Sequence, residues 1–210
     1  LLSSVNISNA WTWTNTLNFT HTFADSHDFK LLVGMEAIKN FNEFVSATRL
    51  DFPVDQQENP DFHVINAGLG SQTNSGYFGR NSLYSLFSRV DYSYQGKYLL
   101  NGTLRRDASS KFAKNNRIGY FPAAALGWRI LAEPFMKKIQ WLDDLKLRAG
   151  WGIIGNQTGL SSDNQFDVYI SDINQSYPIG GSNSCKSDSY ILSRIGDPNA
   201  RWEKKITTNV

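Results

Sequence analysis

Between Trp11 and Phe23 the side chains alternate between two chemistries. Odd positions carry Trp11, Trp13, Asn15, Leu17, Phe19, His21 and Phe23; even positions carry Thr12, Thr14, Thr16, Asn18, Thr20 and Thr22. Successive side chains of a β-strand point to opposite faces, so this segment has one aromatic-tipped apolar face and one polar face. A soluble half-buried sheet shows the same alternation. What distinguishes this chain is that the pattern returns repeatedly, separated in turn by short and long connections. That combination is the signature of a transmembrane β-barrel.

The first strand ends at the polar turn Ala24-Asp25-Ser26, and a second starts near His27, with Phe29, Leu31, Val33, Met35 and Ala37 on one face. Residues 43–80 lose the alternation and collect turn formers, which predicts a long loop. A third strand sets Tyr84, Leu86, Val90, Tyr92 and Tyr94 against Ser85, Arg89 and Asp91. Gln95-Gly96 is a tight turn, and Tyr98, Leu100, Gly102 and Leu104 then oppose Asn101, Thr103, Arg105 and Asp107. A medium loop covers 108–118. A fifth strand follows from about Gly119 to Leu131, then a connection with one helical turn starting at Pro134. The sixth strand opposes Leu145, Leu147, Ala149, Trp151 and Ile153 to Lys146, Arg148, Gly150 and Gly152. A long polar loop runs over 155–199, with a strand-like stretch at Tyr190-Ile191-Leu192, and a last strand starts at Arg201.

The fold class is therefore all-β: an antiparallel meander forming part of a large transmembrane β-barrel with long extracellular loops. The short turns at Ala24-Ser26 and Gln95-Gly96 belong on the periplasmic side, and the loops around Asp55, Asn115 and Asp172 outside. Tyr92, Tyr94 and Tyr98 flank a periplasmic turn, whereas Trp11, Trp13, Tyr120, Trp151 and Trp202 are expected at the opposite strand ends, giving two interfacial bands. No run approaches the roughly 20 apolar residues of a membrane helix. The net charge of +2 gives no footprint for nucleic acid. The single Cys185 excludes an internal disulfide. The chain opens at Leu1 rather than Met and stops at Val210 inside a strand pattern, as a piece of a longer polypeptide would.

Several segments resemble a known family. Arg89-Val90-Asp91-Tyr92-Ser93-Tyr94-Gln95-Gly96-Lys97-Tyr98-Leu99-Leu100, Leu104-Arg105-Arg106-Asp107-Ala108-Ser109-Ser110-Lys111-Phe112 and Gly119-Tyr120-Phe121-Pro122 with Gly127-Trp128-Arg129 are similar to stretches of SusC/RagA TonB-linked outer-membrane transporters. So are Leu145-Lys146-Leu147-Arg148 with Trp151-Gly152 and Gly155-Asn156-Gln157, and Asp197-Pro198-Asn199 with Trp202-Glu203. Ala108, Asp197 and Ala200 depart from the family's usual residues. The resemblance runs in order from Arg89 to Glu203. It implies that residues 1–210 are a segment of a TonB-dependent receptor β-barrel domain, without its plug and remaining strands. It further implies a SusD-like surface lipoprotein over the mouth, energy from the TonB complex through an N-terminal region outside this sequence, and oligosaccharide or peptide cargo. The location implied is the cell outer membrane, with lipid against the apolar face.

Arg105, Asp107, Arg129, Lys146 and Arg148 share the expected lumen face. They are candidates for contact with the plug or substrate, but a ladder of opposite charges that stabilises the wall is the favoured reading. Arg106 falls on the lipid side at the extracellular rim, where its stem can snorkel towards lipid phosphates. Gly150-Trp151-Gly152-Ile153-Ile154-Gly155 spells a dinucleotide fingerprint, but no helical pattern follows to receive a pyrophosphate. Gly150 and Gly152 are instead expected to answer a crowded interior. His21, His27, His63 and Cys185 lack metal-like spacing, and no metal or cofactor is expected. Ser109-Ser110 has no histidine partner nearby in sequence, and Glu36, Glu43, Glu133 and Glu203 offer no facing carboxylate pair, so no catalytic residue is assigned. Five Asn-x-Ser/Thr sequons fit glycosylation, yet those at Asn18 and Asn101 fall inside strands, so they count as chance matches. The loop aromatics Tyr77, Phe78, Phe166, Tyr169 and Tyr177 either stack on sugars, grip the lid, or pack on one another. A soluble β-sandwich carbohydrate-binding module is the alternative reading, and it requires the apolar faces to meet in a sealed core.

Overall fold

The computed structural model describes residues 1–52, 64–136, 141–171 and 189–210. Among the described residues there are nine strands: β1 (Leu2–Phe23), β2 (His27–Arg49), β3 (Gln72–Tyr94), β4 (Tyr98–Ser109), β5 (Ile118–Arg129), β6 (Lys146–Asn156), β7 (Val168–Ser171), β8 (Tyr190–Arg194) and β9 (Glu203–Asn209). Seven form one sheet in the order β1-β2-β3-β4-β5-β6-β9, and β7 pairs with β8 in a separate hairpin. The expected strand-like stretch at Tyr190-Leu192 is β8. Asp55, Asp172, Tyr177, His63 and Cys185 lie outside the described residues.

Two compact units divide the chain: residues 1–12 with 38–82, and residues 13–37 with 83–210. The second holds the turns that set the register. Ala24 and Asp25 have φ of +47° and +52°, and Gln95 and Gly96 have +52° and +64°. Positive φ at both central residues defines the two-residue hairpin turn whose twist matches that of the flanking strands. The closing bonds run from Ser26 N–H to Phe23 C=O at 3.2 Å and from Lys97 N–H to Tyr94 C=O at 2.9 Å. From Tyr94–Tyr98 outward, β3 and β4 then pair residue for residue up to Leu83–Ser109.

That register keeps the two chemistries apart. Tyr92 sits opposite Leu100, which faces Leu126, which faces Ala149; Arg89 sits opposite Thr103, and Asp91 opposite Asn101. Among the described residues no second layer covers the apolar face. Phe19, Val33, Leu100 and Leu147 are 50%, 45%, 44% and 52% exposed. Among the described residues the only buried large hydrophobics are Phe112 and Phe121, at 0% and 7%. A sandwich seals its apolar faces together; this sheet leaves its own outward.

The first unit corrects one expectation. Residues 43–80 were expected as one long loop, but β2 continues to Arg49 and β3 starts at Gln72. The strands persist without a greasy face because cross-strand pairs hold them. Asn40 Nδ2 donates to Asn81 Oδ1 at 3.0 Å and Asn42 Nδ2 to the Tyr77 hydroxyl at 3.0 Å. Phe44 stacks on Tyr77, and Phe78 meets Phe41 edge-on under the Arg80 guanidinium. Tyr77 and Phe78 therefore pack on neighbours within the unit, although both remain more than half exposed. β1 likewise begins at Leu2 rather than at Trp11.

The helical turn expected at Pro134 is a 3-10 turn, Pro134–Met136, preceded by another at Ile130–Ala132. Two of the expected rim tryptophans are elsewhere. Trp151 faces Ala124 and Thr208 near the middle of β6. Trp202 precedes β9 and turns inward: its ring lies 5.0 Å from Phe112 and 5.2 Å from Phe121, and its indole N–H donates to the Arg117 carbonyl at 3.0 Å. An indole whose half-buried ring packs on two phenylalanines and whose N–H is satisfied has no need of the headgroup layer.

Candidate functional face of the sheet

The polar face of the second unit is built around Arg105. Its guanidinium bonds both oxygens of Asp107 at 2.8 and 3.0 Å, the Ser85 hydroxyl at 2.9 Å and Glu36 at 3.2 Å. It also lies 5.8 Å from the Phe87 ring. Asp107 and Ser85 are buried, and Arg105 joins three adjacent strands, β2, β3 and β4. A planar fork with donors fixed in one plane suits such multidentate work. For Arg105 and Asp107 the ladder is what the geometry displays.

Below this network lies a groove of about 800 Å³ lined by Asp28, Lys30, Arg89, Asp91, Lys146 and Arg148 among others. Its acidic side is satisfied internally. Arg89 bonds Asp91 at 2.8 and 3.0 Å, Asn101 donates to Asp91 at 2.5 Å, and Thr22 donates to Asp28 at 2.8 Å. Lys146 and Arg148 make no hydrogen bond or ion pair among the described residues. Among the described residues Arg129 pairs only with Asp144, at 3.9 Å and with both side chains about half exposed, a contact that contributes little.

The five candidates thus separate: two are locked in a network, one is loosely paired, and two are cations beside a groove with no partner among the described residues. Glu36, Ser85, Arg89, Asp91 and Asn101 complete the face; alternation alone puts them on the polar side but gives them no site role. Their strand parity carried the signal, since Glu36 and Asp91 sit on the polar side of their own strands. What sequence alone lacked was the register that brings them beside Arg105 and Asn101.

The glycines of β6 on this face differ in the room around them. A Cβ at Gly152 would lie 3.0 Å from that of Ala123, whereas at Gly150 the nearest atoms are an ordinary 3.9 Å away. The crowding expected at both is present at Gly152 alone. Gly150 through Gly155 all lie within β6, so the fingerprint-like spacing opens no helix.

At the turn end the apolar face is closed by rings. Tyr94 stacks on Tyr98 at 6.3 Å and Tyr98 on Trp128 at 6.5 Å, while His27 bonds the Tyr92 hydroxyl at 2.7 Å. Glu133 clasps this row by accepting from the Tyr98 hydroxyl at 2.7 Å and the Trp128 indole at 3.2 Å, with Lys97 at 3.5 Å. The Tyr98 bond, followed by the Trp128 bond, holds the Glu133 carboxyl below its ordinary pKa. His21 nests between Phe19 and Phe23 on the same apolar face.

A sheet with oil-compatible residues outward, water-compatible residues on the reverse and a belt of clasped rings at one edge is the wall of an outer-membrane β-barrel. No family model matches the chain. It is 40% identical over 149 residues to the TonB-dependent receptor SusC of Bacteroides thetaiotaomicron, a match covering 68% of this chain and 14% of that protein. It is 33% identical over 147 residues to TonB-dependent receptor P39 of Formosa agariphila, covering 68% of this chain and 14% of that one. The RagAB peptide transporter structure superposes with a TM-score of 0.82 over 98% of this chain and 21% of that chain, at 22% identity. The chain belongs to the SusC/RagA family of TonB-linked outer-membrane receptors and corresponds to part of their barrel wall. It spans 14–19% of the length of the curated relatives it matches.

Proposed function

We propose that this chain serves as a section of barrel wall in a TonB-dependent importer that takes oligosaccharides or peptides across the outer membrane. The observation that carries the reading is the unsealed apolar face backed by a polar, grooved one. TonB supplies the energy through a region N-terminal to this segment, and a SusD-like lipoprotein covers the outer mouth. The peptide alternative for the cargo draws on the RagAB neighbour, which is a peptide transporter. The segment performs no catalysis. Arg105 and Asp107 hold the wall rigid, and Lys146 and Arg148 present free positive charge to the plug or to anionic groups on the cargo.

The test uses the full-length receptor in its own host. Growth on a panel of oligosaccharides and peptides should depend on the receptor and on TonB together. Uptake that persists without TonB refutes the importer. A Lys146→Gln, Arg148→Gln double variant should reach the outer membrane in normal amount yet transport more slowly; unchanged transport removes these two from any functional role.

A further inference from the structure

Arg105 and Arg106 are neighbours in sequence with opposite fates. Arg105 is fully engaged on the polar face. Arg106 points the other way, between Leu86 on β3 and Tyr120 on β5. It makes no hydrogen bond, ion pair or ring contact among the described residues, and it is only part-exposed. Across the strand residues from Tyr84 to Ile153, it is the one charged side chain on the apolar face.

Its height explains why this position is tolerated. Arg106 lies eight residues beyond Tyr98 in β4. At about 3.4 Å per residue and a strand tilt near 40°, that is roughly 21 Å above the lower aromatic row, in an apolar band about 25 Å tall. An arginine near the midplane costs about 2–4 kcal/mol, but one near the interface costs about 0–1. Tyr120, directly beside it, and Tyr84, one step higher on the same face, are 54% and 40% exposed. A cation with one phenol beside it and a second a step higher makes a headgroup-facing set.

We infer that Arg106, flanked by Tyr84 and Tyr120, binds the phosphate of a phosphorylated glycolipid in the outer leaflet. Charge complementarity selects the occupant. The guanidinium has no acceptor among the described residues, its planar fork fits phosphate oxygens, and the phenols can bond the adjoining sugar hydroxyls. The site is separate from the transport pathway, since it lies on the opposite face of the sheet from the groove.

The experiment takes purified full-length receptor, stripped of lipid by detergent exchange. It is titrated with bis-phosphorylated lipid A and, separately, with enzymatically dephosphorylated lipid A, and bound lipid is counted by native mass spectrometry. The wild type should prefer the phosphorylated form by about tenfold, equivalent to about 1.4 kcal/mol for one charge-assisted contact. Arg106→Gln should abolish the preference and Arg106→Lys retain part of it. Inorganic phosphate at millimolar concentration should not displace the lipid. Equal binding of the two lipids by the wild type overturns the proposal, as does an undiminished preference in Arg106→Gln. Displacement by inorganic phosphate overturns the lipid as occupant. Heat-modifiable gel mobility checks that each variant is folded; should Arg106→Gln fail that check, the wild-type and Arg106→Lys preferences still decide.

Discussion

Ala124 and Ala125 are adjacent, both exposed, and on opposite faces of β5. In a soluble sheet an arginine at either would be a surface substitution worth within about 0.5 kcal/mol. In a barrel wall the two must differ. Ala124 is level with Gly102, four residues beyond Tyr98, and with Trp151. Four residues at about 3.4 Å and a tilt near 40° put it roughly 10 Å above the lower ring belt, close to the middle of a band about 25 Å tall. Ala124→Arg should therefore destabilise by about 2–4 kcal/mol, a factor of about 30 to 1,000 in the folding constant. Ala125→Arg faces water beside Asn101 and Gly150 and should be nearly neutral. The assay is urea-dependent folding of the full-length receptor into lipid vesicles, read by heat-modifiable mobility. At the wild-type midpoint, the Ala124→Arg fraction folded should drop from half to about 3% or less. Equal losses in the two variants, or no loss in either, would refute the two-solvent sheet.

Three further outcomes follow from the geometry. Asp107→Ala should destabilise the full receptor by about 1–2 kcal/mol in the same titration, discounted from the usual buried-pair loss because Arg105 is partly exposed and keeps Glu36; an Arg105→Met, Asp107→Ala double variant should lose less than the sum of the single changes. Glu133 has its pKa lowered in the folded state, so its contribution is present above the unfolded carboxyl pKa and vanishes as pH falls through the folded one. Acid titration of wild type against Glu133→Gln should show the wild-type advantage shrinking below the ordinary carboxylate range; an advantage that grows with acid would contradict the Tyr98–Glu133 bond. The isolated chain should not refold alone in vesicles, because β1 and β9 end the sheet with unpaired N–H and C=O groups that each cost several kcal/mol in lipid; a monodisperse, heat-resistant product would count against this.

Legibility in the sequence tracked solvent contrast. Where one face meets lipid and the other water, as from Tyr84 to Tyr94 or Leu145 to Ile153, apolar and polar residues separate by parity and the strand is readable. At the far ends of β2 and β3, residues 40–49 and 72–81, both faces mix aromatic and amide side chains, so strands held by Asn40–Asn81 and Phe44–Tyr77 carried no periodic signal and read as loop. Site residues followed the same rule. The face of Arg105, Asp107, Lys146 and Arg148 came from parity, but their separation into locked and free groups depends on cross-strand neighbours. Glu36 is 69 positions from Arg105 and Ser85 is 20 away, and no local pattern links them.

Trp202 shows the same limit from the other side. It resembles a family tag and sits among turn residues, so a rim position at a strand end was the natural reading. In the fold, separate tags converge on it. Phe112 closes one, Phe121 belongs to a second, and Trp202 itself to a third. Arg117 ties the set by donating to the Phe112 carbonyl at 3.1 Å while its own carbonyl takes the Trp202 indole, and Asn116 reaches the Pro198 carbonyl at 3.2 Å. Gly119 and Gly155 flank the Phe121 ring so closely that a Cβ on either would come within 2.5 Å of it. These glycines and aromatics occur together because each makes room for or covers another. The knot fastens the β4–β5 loop to the start of β9, a join that a wall with lipid on one face and water on the other cannot obtain from a continuous core. Fragments of sequence that look like separate signatures are, on this reading, one packing unit dispersed along the chain.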